Sequence, residues 1–297
     1  HVNTYQLMTL PGTEIDSPET RQEFDMKTRF RILPRCFGYY DVLGKQIVAA
    51  EIEEVCVSTN TLSFEDYVKC RKMHLLIHIY HNDGLFNTAL EFIKFLKLSP
   101  YGWLELLFEE KMIGGIKELF EKYEQDTRQE LWLNRDELVQ NIQNPGVVDS
   151  YISGDLGYNL LFVHKAIAMS RFVPDLKKFA KLTLEKLMSK NSLNSQLNLD
   201  FLNDALNYDA CCISNIFENI EKTPTADMKY DIQKFISEKN KKLEELRFKK
   251  PTKISFAMNE SQQDILRRSL KLYGSTDLGV SRILTKVFVK KILRTGS

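Results

Sequence analysis

Residues 63–81, SFEDYVKCRKMHLLIHIYH, contain the point at which the sequence takes on the periodicity of helices. Ser63 has the side chain of a helix N-cap, and Glu65 and Asp66 place negative charge in the first turn, where it stabilises a helix. Apolar residues then recur at helical spacing up to residues 82–84, Asn-Asp-Gly, which are typical of a turn. The sequence therefore predicts a helix over residues 63–81.

Helical periodicity continues to the C-terminus. Further helices are predicted over residues 86–96, 101–111, 116–133, 135–142, 159–170, 174–189, 200–220, 228–246, 260–272 and 278–293. No fixed repeat length connects these segments, which argues against a solenoid. The polar stretch 191–198 is the best candidate for a hinge within the helical part.

The residues before Ser63 have a different pattern. Ser17-Pro18 marks the start of a short helix, because serine caps helices and proline is favoured at the first helical position. Gly44-Lys45 supplies a turn between two of the expected strands. These β-strands are predicted over residues 2–10, 30–33, 39–43, 46–50 and 52–57. The predicted fold class is mainly α with a small N-terminal β-containing part, divided at 1–62, 63–190 and 199–297.

The composition is that of an ordinary globular protein: 297 residues, of which 43% are hydrophobic and 27% charged. These values exclude a disordered, collagen-like or fibrous chain. The overall net charge of +1 hides an uneven distribution. Residues 1–228 carry a net charge of −9, whereas residues 229–297, with 17 basic and 7 acidic side chains, carry +10. This basic C-terminal segment favours an acidic partner or an acidic domain.

The sequence also indicates a cellular setting. No apolar run reaches the roughly 18 residues of a membrane-spanning helix, and no signal peptide opens the chain. The five cysteines are therefore expected to be reduced thiols of a cytoplasmic protein. Because its first residue is His1 rather than methionine, the chain is expected to be a piece of a longer protein.

Cys70, His74, His78 and His81 share one face of the helix predicted over residues 63–81. Two histidines four residues apart can bind one metal ion, although the remaining ligands would have to come from elsewhere in the fold. The intervening residues are almost all apolar, which indicates a buried helix. Half-buried, hydrogen-bonded histidines are therefore favoured over a metal site.

An acidic cluster lies on the last predicted strand of the N-terminal part. Glu51 and Glu53 are expected to point to one face and Glu54 to the other, so that they do not form a carboxylate pair. A solvated or salt-bridged face is favoured instead. The potential partners are the nearby arginines Arg29, Arg31 and Arg35.

Two features of the sequence suggest contact with phosphate groups. Residues 154–157, Gly-Asp-Leu-Gly, resemble a phosphate-binding turn, but they lack a third glycine and a preceding strand, so a plain loop is favoured. The C-terminal segment contains basic residues, but those of residues 239–250 alternate with glutamates, which is typical of a solvated helix. Nucleic-acid binding would require exposed basic residues on one face, namely Lys286, Lys290, Lys291 and Arg294.

Residues 5–14, YQLMTLPGTE, suggest a family. They resemble the late strand and loop of the radical S-adenosylmethionine (SAM) barrel in proteins with an N-terminal cobalamin-binding domain. In that family an arginine-containing helix follows, as at Arg21 here. The resemblance covers about residues 2–110, is thin beyond them, and continues through residues 28–35, 51–55, 58–60 and 64–67.

The resemblance implies that residues 1–62 are the end of a radical SAM (β/α) barrel, followed by a helical C-terminal domain. Such enzymes bind a [4Fe-4S] cluster through three cysteines, cleave SAM to a 5′-deoxyadenosyl radical and often use cobalamin. The Cys-x-x-x-Cys-x-x-Cys motif is not in this sequence, so the cluster, SAM and cobalamin sites are expected upstream, in partner domains of the same parent chain. No cofactor is expected to bind to this chain alone, and the chain alone is not expected to be catalytically competent.

The expected cofactor-binding residues lie at the C-terminal end of the barrel strand, the end at which barrel enzymes carry out their chemistry. Gly12 would allow the backbone to approach SAM or the substrate closely. A plain turn at the end of a strand is the alternative. The residues concerned are Gln6, Pro11, Gly12, Thr13 and Glu14.

Three functions remain in competition. The favoured one is the C-terminal portion of a radical SAM enzyme, whose helical domain covers the barrel or shapes substrate access. Exposed apolar surface over residues 2–10, without neighbouring strands, would support it. The second is a non-catalytic helical interaction module, which pairing of residues 2–10 with residues 52–57 would favour. The third is a nucleic-acid contact through the basic C-terminal segment.

Overall fold

The computed structural model describes residues 1–144, 146–153, 156–238 and 242–297. Helices α1–α13 span Pro18–Glu23, Phe64–Ile77, Asn87–Phe95, Pro100–Glu109, Gly114–Gln129, Arg135–Ile142, Val147–Ser153, Leu160–Arg171, Val173–Lys190, Gln196–Ile213, Ile232–Ser237, Glu260–Tyr273 and Asp277–Lys286. Strands β1–β6 span Met8–Thr9, Lys27–Val42, Lys45–Ser58, Thr225–Tyr230, Arg247–Ala257 and Thr295–Gly296. A π-helical turn, His78–Asn82, directly follows α2.

The described residues are mainly helical with a small N-terminal sheet, which confirms the coarse fold class predicted from the sequence. They form two compact units. We call residues 3–74 with 121–161 the sheet unit, and residues 1–2, 75–120 and 162–297 the helical unit. No helix in the described part of the chain is both long and apolar enough to cross a membrane.

The sheet unit contains a three-stranded sheet in the order β1-β3-β2. The sequence predicted separate strands over residues 30–33 and 39–43, whereas the structure has one strand, β2, with an irregularity in its pairing between Ile32 and Phe37. Pro34 lies in this interval, and proline cannot donate to a ladder. The turn to β3 is Leu43–Gly44, and both residues have positive φ.

The core of the sheet unit consists of two apolar clusters. One joins β3 to the beginning of α2 and contains Val55, Val57, Tyr67, Val68 and Leu131. The other contains Ile32, Leu138, Ile142 and Val148, from β2, α6 and α7. Every strand pairing in the described part of the chain is antiparallel, so the parallel strands of a (β/α) barrel are not among these residues.

The core of the helical unit is rich in aromatic side chains. The buried Trp103 of α4 donates from Nε1 to Thr183 Oγ1 of α9 at 2.9 Å. Phe201 of α10 packs edge-to-face on Phe235 of α11, with 4.7 Å between ring centroids. The Trp103–Thr183 bond keeps one buried polar pair of this core satisfied, as buried polar groups in proteins usually are.

One predicted helix of the helical unit was wrong. Residues 228–246 form the end of β4, the short helix α11 and a 3₁₀ turn at Leu243–Leu246, and Lys239–Lys241 lie outside the described residues. In β4, burial alternates along the strand, and Met228 and Tyr230 are inward. The carboxylate of the buried Asp204 accepts the backbone amide of Tyr230 at 3.0 Å, which holds this strand on α10. Tertiary contacts thus determine the secondary structure of this segment, although its local sequence pattern favoured a helix.

The remaining predicted helices correspond to helices of the structure, with ends displaced by up to seven residues. β5, β6 and α7 had not been assigned from the sequence. The stretch 191–198, predicted as a hinge, contains a turn between α9 and α10 followed by the first residues of α10, and Ser192 has a φ of +57°. Its role as a hinge stays a prediction.

Candidate functional site

The turn that follows β1 is the candidate site. β1 pairs antiparallel with β3, with Met8 opposite Val55 and Thr9 opposite Glu54. The chain then leaves the sheet, and Thr13 closes the turn by donating its backbone amide to Leu10 O at 3.1 Å and its hydroxyl to the same oxygen at 2.7 Å. We call residues 10–14 the candidate turn.

Gly12 gives the candidate turn its shape. It has a φ of +82°, a conformation that favours glycine because it has no Cβ. A Cβ built on Gly12 meets no atom within 4 Å, so the structure itself leaves open space beside this backbone. Pro11, Thr13 and Glu14 are also exposed. The backbone of the candidate turn is therefore accessible to a ligand at Gly12.

Arg21 connects β1, the turn and β3. Its guanidinium donates two hydrogen bonds to Glu54, each 2.9 Å long, and another to Asp16 Oδ1 at 2.6 Å. A further, longer contact of 3.4 Å reaches Thr9 Oγ1. Two bonds to one carboxylate fix both partners in position as well as attracting them. Arg21 thus fixes the base of the candidate turn to the sheet.

The ionisation of this network follows from its contacts. The hydrogen bonds with Glu54 and Asp16 raise the pKa of Arg21. Burial raises the pKa of Glu54, but hydrogen bonds from Arg21 and Thr28 outweigh it and hold that pKa below its ordinary value. The carboxylate is therefore ionised at neutral pH and acts as a fixed anchor. Proton transfer is not a role that this geometry gives to Glu54.

Gln6, the fifth residue predicted to bind a cofactor, lies outside the candidate turn. Its side-chain oxygen accepts a hydrogen bond of 2.6 Å from the hydroxyl of Tyr67 on α2. Burial raises the pKa of Tyr67 to about 12, so the phenol stays protonated and remains a donor. Within the described residues no hydrogen bond joins Gln6 to residues 10–14. The structure brings four of the five predicted residues together and places Gln6 apart.

The acidic cluster on β3 is divided between two sets of partners. Arg31 forms ion pairs with Glu53 and with Glu130 of the segment after α5, the latter at 2.8 Å. The sequence had named Arg31 among the potential partners, and this salt-bridged arrangement was the favoured one. Glu54 instead pairs with Arg21, whose helix lies too far away in sequence for spacing to reveal the contact. The ion pair between Arg21 and Glu54 joins residues far apart in the chain, so local spacing in the sequence could not predict it.

The cysteine and histidine face predicted on residues 70–81 does not form a metal site in the described residues, where no group of three or more metal-ligating side chains has a suitable arrangement. Cys70 is exposed. His81 Nδ1 lies 3.3 Å from Asn82 Oδ1, as expected for a hydrogen-bonded histidine. His78 is largely buried, and its Nδ1 lies 3.7 Å from an Asp83 oxygen, beyond hydrogen-bond range.

Lys165 was missed by the sequence reasoning. Its side chain is 1% exposed and forms an ion pair with Asp83. Burial lowers the pKa of Lys165, which the negative charge of Asp83 partly offsets. Lys165 lies among the apolar residues of α8. A charged side chain in such a segment is buried at a high cost unless it has an oppositely charged partner, and this was the signal in the sequence.

Nucleic-acid binding would require Lys286, Lys290, Lys291 and Arg294 on one exposed face, and the structure does not place all four at the surface. Arg294 is buried, with 1% exposure, and donates to three backbone carbonyls, those of Ser214, Asn219 and Lys222. It therefore closes a loop of the helical unit instead of facing solvent. Lys286, Lys290 and Lys291 are exposed. Lys249 and Lys250 lie on strand β5, where the sequence predicted a helix.

The predicted Gly-Asp-Leu-Gly loop is described only in part, because Gly154 and Asp155 lie outside the described residues. Gly157 has a φ of +75°, and a Cβ at this position would collide with the rings of Tyr151 and Phe37. Close packing therefore explains this glycine, and phosphate binding is not needed to account for it.

The helical unit contains a cleft of about 600 Å³ between α9, α10 and β4. Lys177 reaches Asn207 at its wall, with Nζ donating to Oδ1 at 3.0 Å. Burial raises the pKa of the Cys211 thiol in the same wall, so the thiol is protonated near neutral pH and is not an activated nucleophile. The sequence could not predict this cleft because it forms between segments that are far apart in the chain.

Comparisons with known proteins add no assignment to this geometry. No protein-family model matches the chain, and no curated protein matches it at a significant level of similarity.

Proposed function

We propose that this chain is the C-terminal portion of a radical SAM enzyme and that the candidate turn lies next to SAM or the substrate in the parent protein. The helical domain would then cover the barrel or shape substrate access. The proposal rests on the resemblance of residues 5–14 to the family and on one observation, the bare backbone at Gly12 supported by the Arg21–Glu54 pair.

A second observation supports the proposal. β1 lies at the edge of its sheet, and the apolar side chains around it are exposed: Tyr5 by 85%, Leu7 by 43%, Met8 by 41% and Leu10 by 58%. An edge strand with exposed apolar side chains is a surface that proteins normally cover. In the proposed parent protein, further barrel strands would cover this exposed edge and its apolar side chains.

The open backbone at Gly12 is compatible with a ligand such as SAM, whereas the cysteines of the described residues do not suit an iron–sulfur cluster. Gly12 leaves room for a ligand against the backbone. The cysteines, in contrast, are scattered over both units, and the described residues offer no group of three ligands for a metal ion. The cluster and any cobalamin would therefore be held by the parent chain outside these residues.

The alternative is a non-catalytic helical module that binds another protein. It is favoured by the pairing of Met8 with Val55 and of Thr9 with Glu54, which gives the sheet its third strand from within this chain. In that case the candidate turn is a plain connection between β1 and α1. The two proposals differ in whether Gly12 matters for chemistry.

The parentage can be tested by reading the coding sequence upstream of His1. The proposal expects Cys-x-x-x-Cys-x-x-Cys in the same frame within about 200 residues, the size of an ordinary domain. The full-length protein, purified without oxygen, should then contain iron and release 5′-deoxyadenosine from SAM. A frame without the cysteine motif would remove the radical SAM proposal and leave the interaction module.

The role of the candidate turn can be tested separately in the full-length enzyme with Gly12→Ala. Gly44→Ala is the matched control, because Gly44 also has positive φ and open space around its Cβ position, and it lies in the same unit. Both variants carry the same kind of backbone strain. We expect Gly12→Ala to raise KM for SAM or the substrate, or to lower the rate, by tenfold or more (about 1.4 kcal/mol), and Gly44→Ala to change neither. Equal behaviour of the two variants would contradict the role.

A further inference from the structure

The β2–β3 hairpin extends beyond its core as a two-stranded ribbon, which we call the distal ribbon, residues 37–50. It carries large exposed apolar side chains: Tyr40 is 52% exposed, Val42 46%, Leu43 fully and Ile47 45%. One face of the ribbon contacts α7 through Phe37, whose ring lies 5.0 Å from that of Tyr151. A two-stranded ribbon is barely stable in water by itself, so its free edges are candidates for a partner strand.

The edges of the hairpin are covered only near its base. There, β1 pairs with β3 as far as Glu54, and Trp132 exchanges two backbone hydrogen bonds with Phe30 on the β2 edge. Across the described residues, no strand pairs with the outer edge of β3 between Lys45 and Glu51. This segment is exposed along its length except for Ala50, which is half-buried.

The register determines which backbone groups of β3 face outward. The amide of Cys56 donates to Leu7 O of β1 at 2.9 Å, so even-numbered residues of β3 point their amides away from β2. The other end agrees, because Lys45 flanks the hairpin turn opposite Val42 and therefore bonds inward. Unsatisfied donors and acceptors thus project from Gln46, Val48 and Ala50.

We propose that the outer edge of β3 pairs antiparallel with the same edge of a second copy of this chain, with Val48 on the twofold axis. In this register Gln46 faces Ala50 of the other copy and Val48 faces Val48. These three pairings would form about six hydrogen bonds between the copies, two for each hydrogen-bonded pair. A symmetric pairing of this kind closes on itself and gives a dimer.

The charges on the edge agree with this register. Lys45 of one copy lies opposite Glu51 of the other, and the twofold axis repeats the pair. Both are non-hydrogen-bonded positions, where side chains of facing residues come closest. Ile47 lies opposite Ala49 on the same face, so apolar side chains meet between the two ion pairs. The edge is therefore complementary to itself in charge and in the placement of its apolar side chains.

The β2 edge is a poorer candidate. Its outward backbone groups belong to odd-numbered residues, and self-pairing centred on Tyr39 would place Asp41 opposite Phe37. No ion pair forms in that register, and the Tyr39 hydroxyl is already bonded to Asp149 at 3.0 Å. The pairing irregularity after Ile32 also ends the regular ribbon on this side.

The pairing of two short edges buries less surface than a standard protein–protein interface. We therefore expect a reversible dimer with a dissociation constant on the order of 10–100 μM. The pairing does not depend on the proposed enzymatic function, because it uses neither the candidate turn nor a cofactor.

A charge reversal in the full 297-residue chain tests the register. Lys45→Glu and Glu51→Lys each place like charges opposite one another, so each should weaken the dimer at least fivefold in sedimentation equilibrium. The double variant Lys45→Glu/Glu51→Lys restores opposite charges and should restore the dissociation constant. Circular dichroism shows whether each variant is folded. Additive weakening in the double variant would overturn the register.

A proline substitution tests the edge. Val48→Pro removes an outward amide without removing a bond to β2, so the fold should survive while the dimer is lost. Asp41→Pro is the matched control, since it removes an outward amide from the β2 edge and should leave the dimer intact.

Amide exchange gives an independent measurement. Protection of Gln46, Val48 and Ala50 should increase with protein concentration, whereas Ile47 and Ala49, already bonded to β2, should show no such dependence. A chain that stays monomeric up to 1 mM, or a dimer that Val48→Pro does not affect, would overturn the proposal.

Discussion

The two halves of the β2–β3 hairpin share one backbone ladder but have different surroundings. The proximal half, residues 27–32 and 52–58, has β1 at one edge, Trp132 at the other and an apolar core beneath Val55. The distal ribbon has exposed edges, and its side chains are exposed except at Phe37 and Ala50. Within the hairpin both halves pair antiparallel, so differences in stability must come from the partners at the edges, from burial and from the contacts of side chains.

The largest expected difference comes from shortening a valine in each half. Val55 is fully buried, and Val55→Ala should lower the free energy of unfolding by about 2 kcal/mol, from lost burial and the cavity left behind. Val48 is 36% exposed, and Val48→Ala should cost less than about 0.5 kcal/mol. Urea denaturation measures both. Similar losses would show that the two halves are equally dependent on packing.

The ion pair that attaches β1 to the proximal half should have the next largest effect. Arg21→Met leaves the half-buried carboxylate of Glu54 without its main partner and should cost about 1–2 kcal/mol. Arg268→Met is the matched control, because Arg268 pairs with Asp264 on the exposed surface of α12, where such pairs contribute about 0.5 kcal/mol or less. If the two substitutions have equal effects, Arg21 is not an anchor.

The same network predicts a dependence on pH. The pKa of Glu54 is lower in the folded state than its ordinary value of 4.5, so its contribution is complete above pH 4.5 and is lost as the pH falls further. Below pH 4.5 the stability of the wild type should therefore decrease more steeply than that of Glu54→Gln. Parallel pH profiles, measured by urea denaturation between pH 3 and pH 7, would contradict this assignment.

The smallest effect is expected at the tip of the distal ribbon, and it should stabilise. Leu43 has a φ of +50° and a fully exposed side chain, so leucine pays a conformational cost there without any gain from burial. Leu43→Asn produces Asn-Gly, the preferred sequence for such a turn, and should raise the free energy of unfolding by about 0.5 kcal/mol. A loss of stability would indicate that Leu43 has a partner.

Elements whose conformation is determined by neighbouring residues could be predicted from the sequence, whereas elements that depend on distant residues could not. The cap Ser17, the turn at Gly44 and the helix begun after Ser63 were predicted correctly, because each is encoded by its own neighbours. Residues 228–230, the end of β4, were predicted wrongly as helix, since the carboxylate of Asp204, distant in sequence, binds the backbone of this strand. The alternation of apolar and polar residues over residues 226–230, Ala-Asp-Met-Lys-Tyr, was the overlooked signal.

The candidate site shows the same division. The resemblance suggested that Gly12 lets the backbone approach a ligand; the structure gives Gly12 a positive φ and open surroundings, and its use by a ligand stays a prediction. Spacing alone could not reveal that Gln6 is bound to Tyr67, or that Arg21 and Glu54 support the turn. Both are contacts between segments far apart in the chain, which only the folded arrangement brings together.

The central claim is that this chain belongs to an enzyme that cleaves SAM. The most direct measurement is the release of 5′-deoxyadenosine by the full-length parent protein, purified and reduced without oxygen, compared with its Gly12→Ala variant. We expect product from the parent protein and at least tenfold less from the variant at low SAM. No 5′-deoxyadenosine from an iron-loaded parent protein would contradict the account.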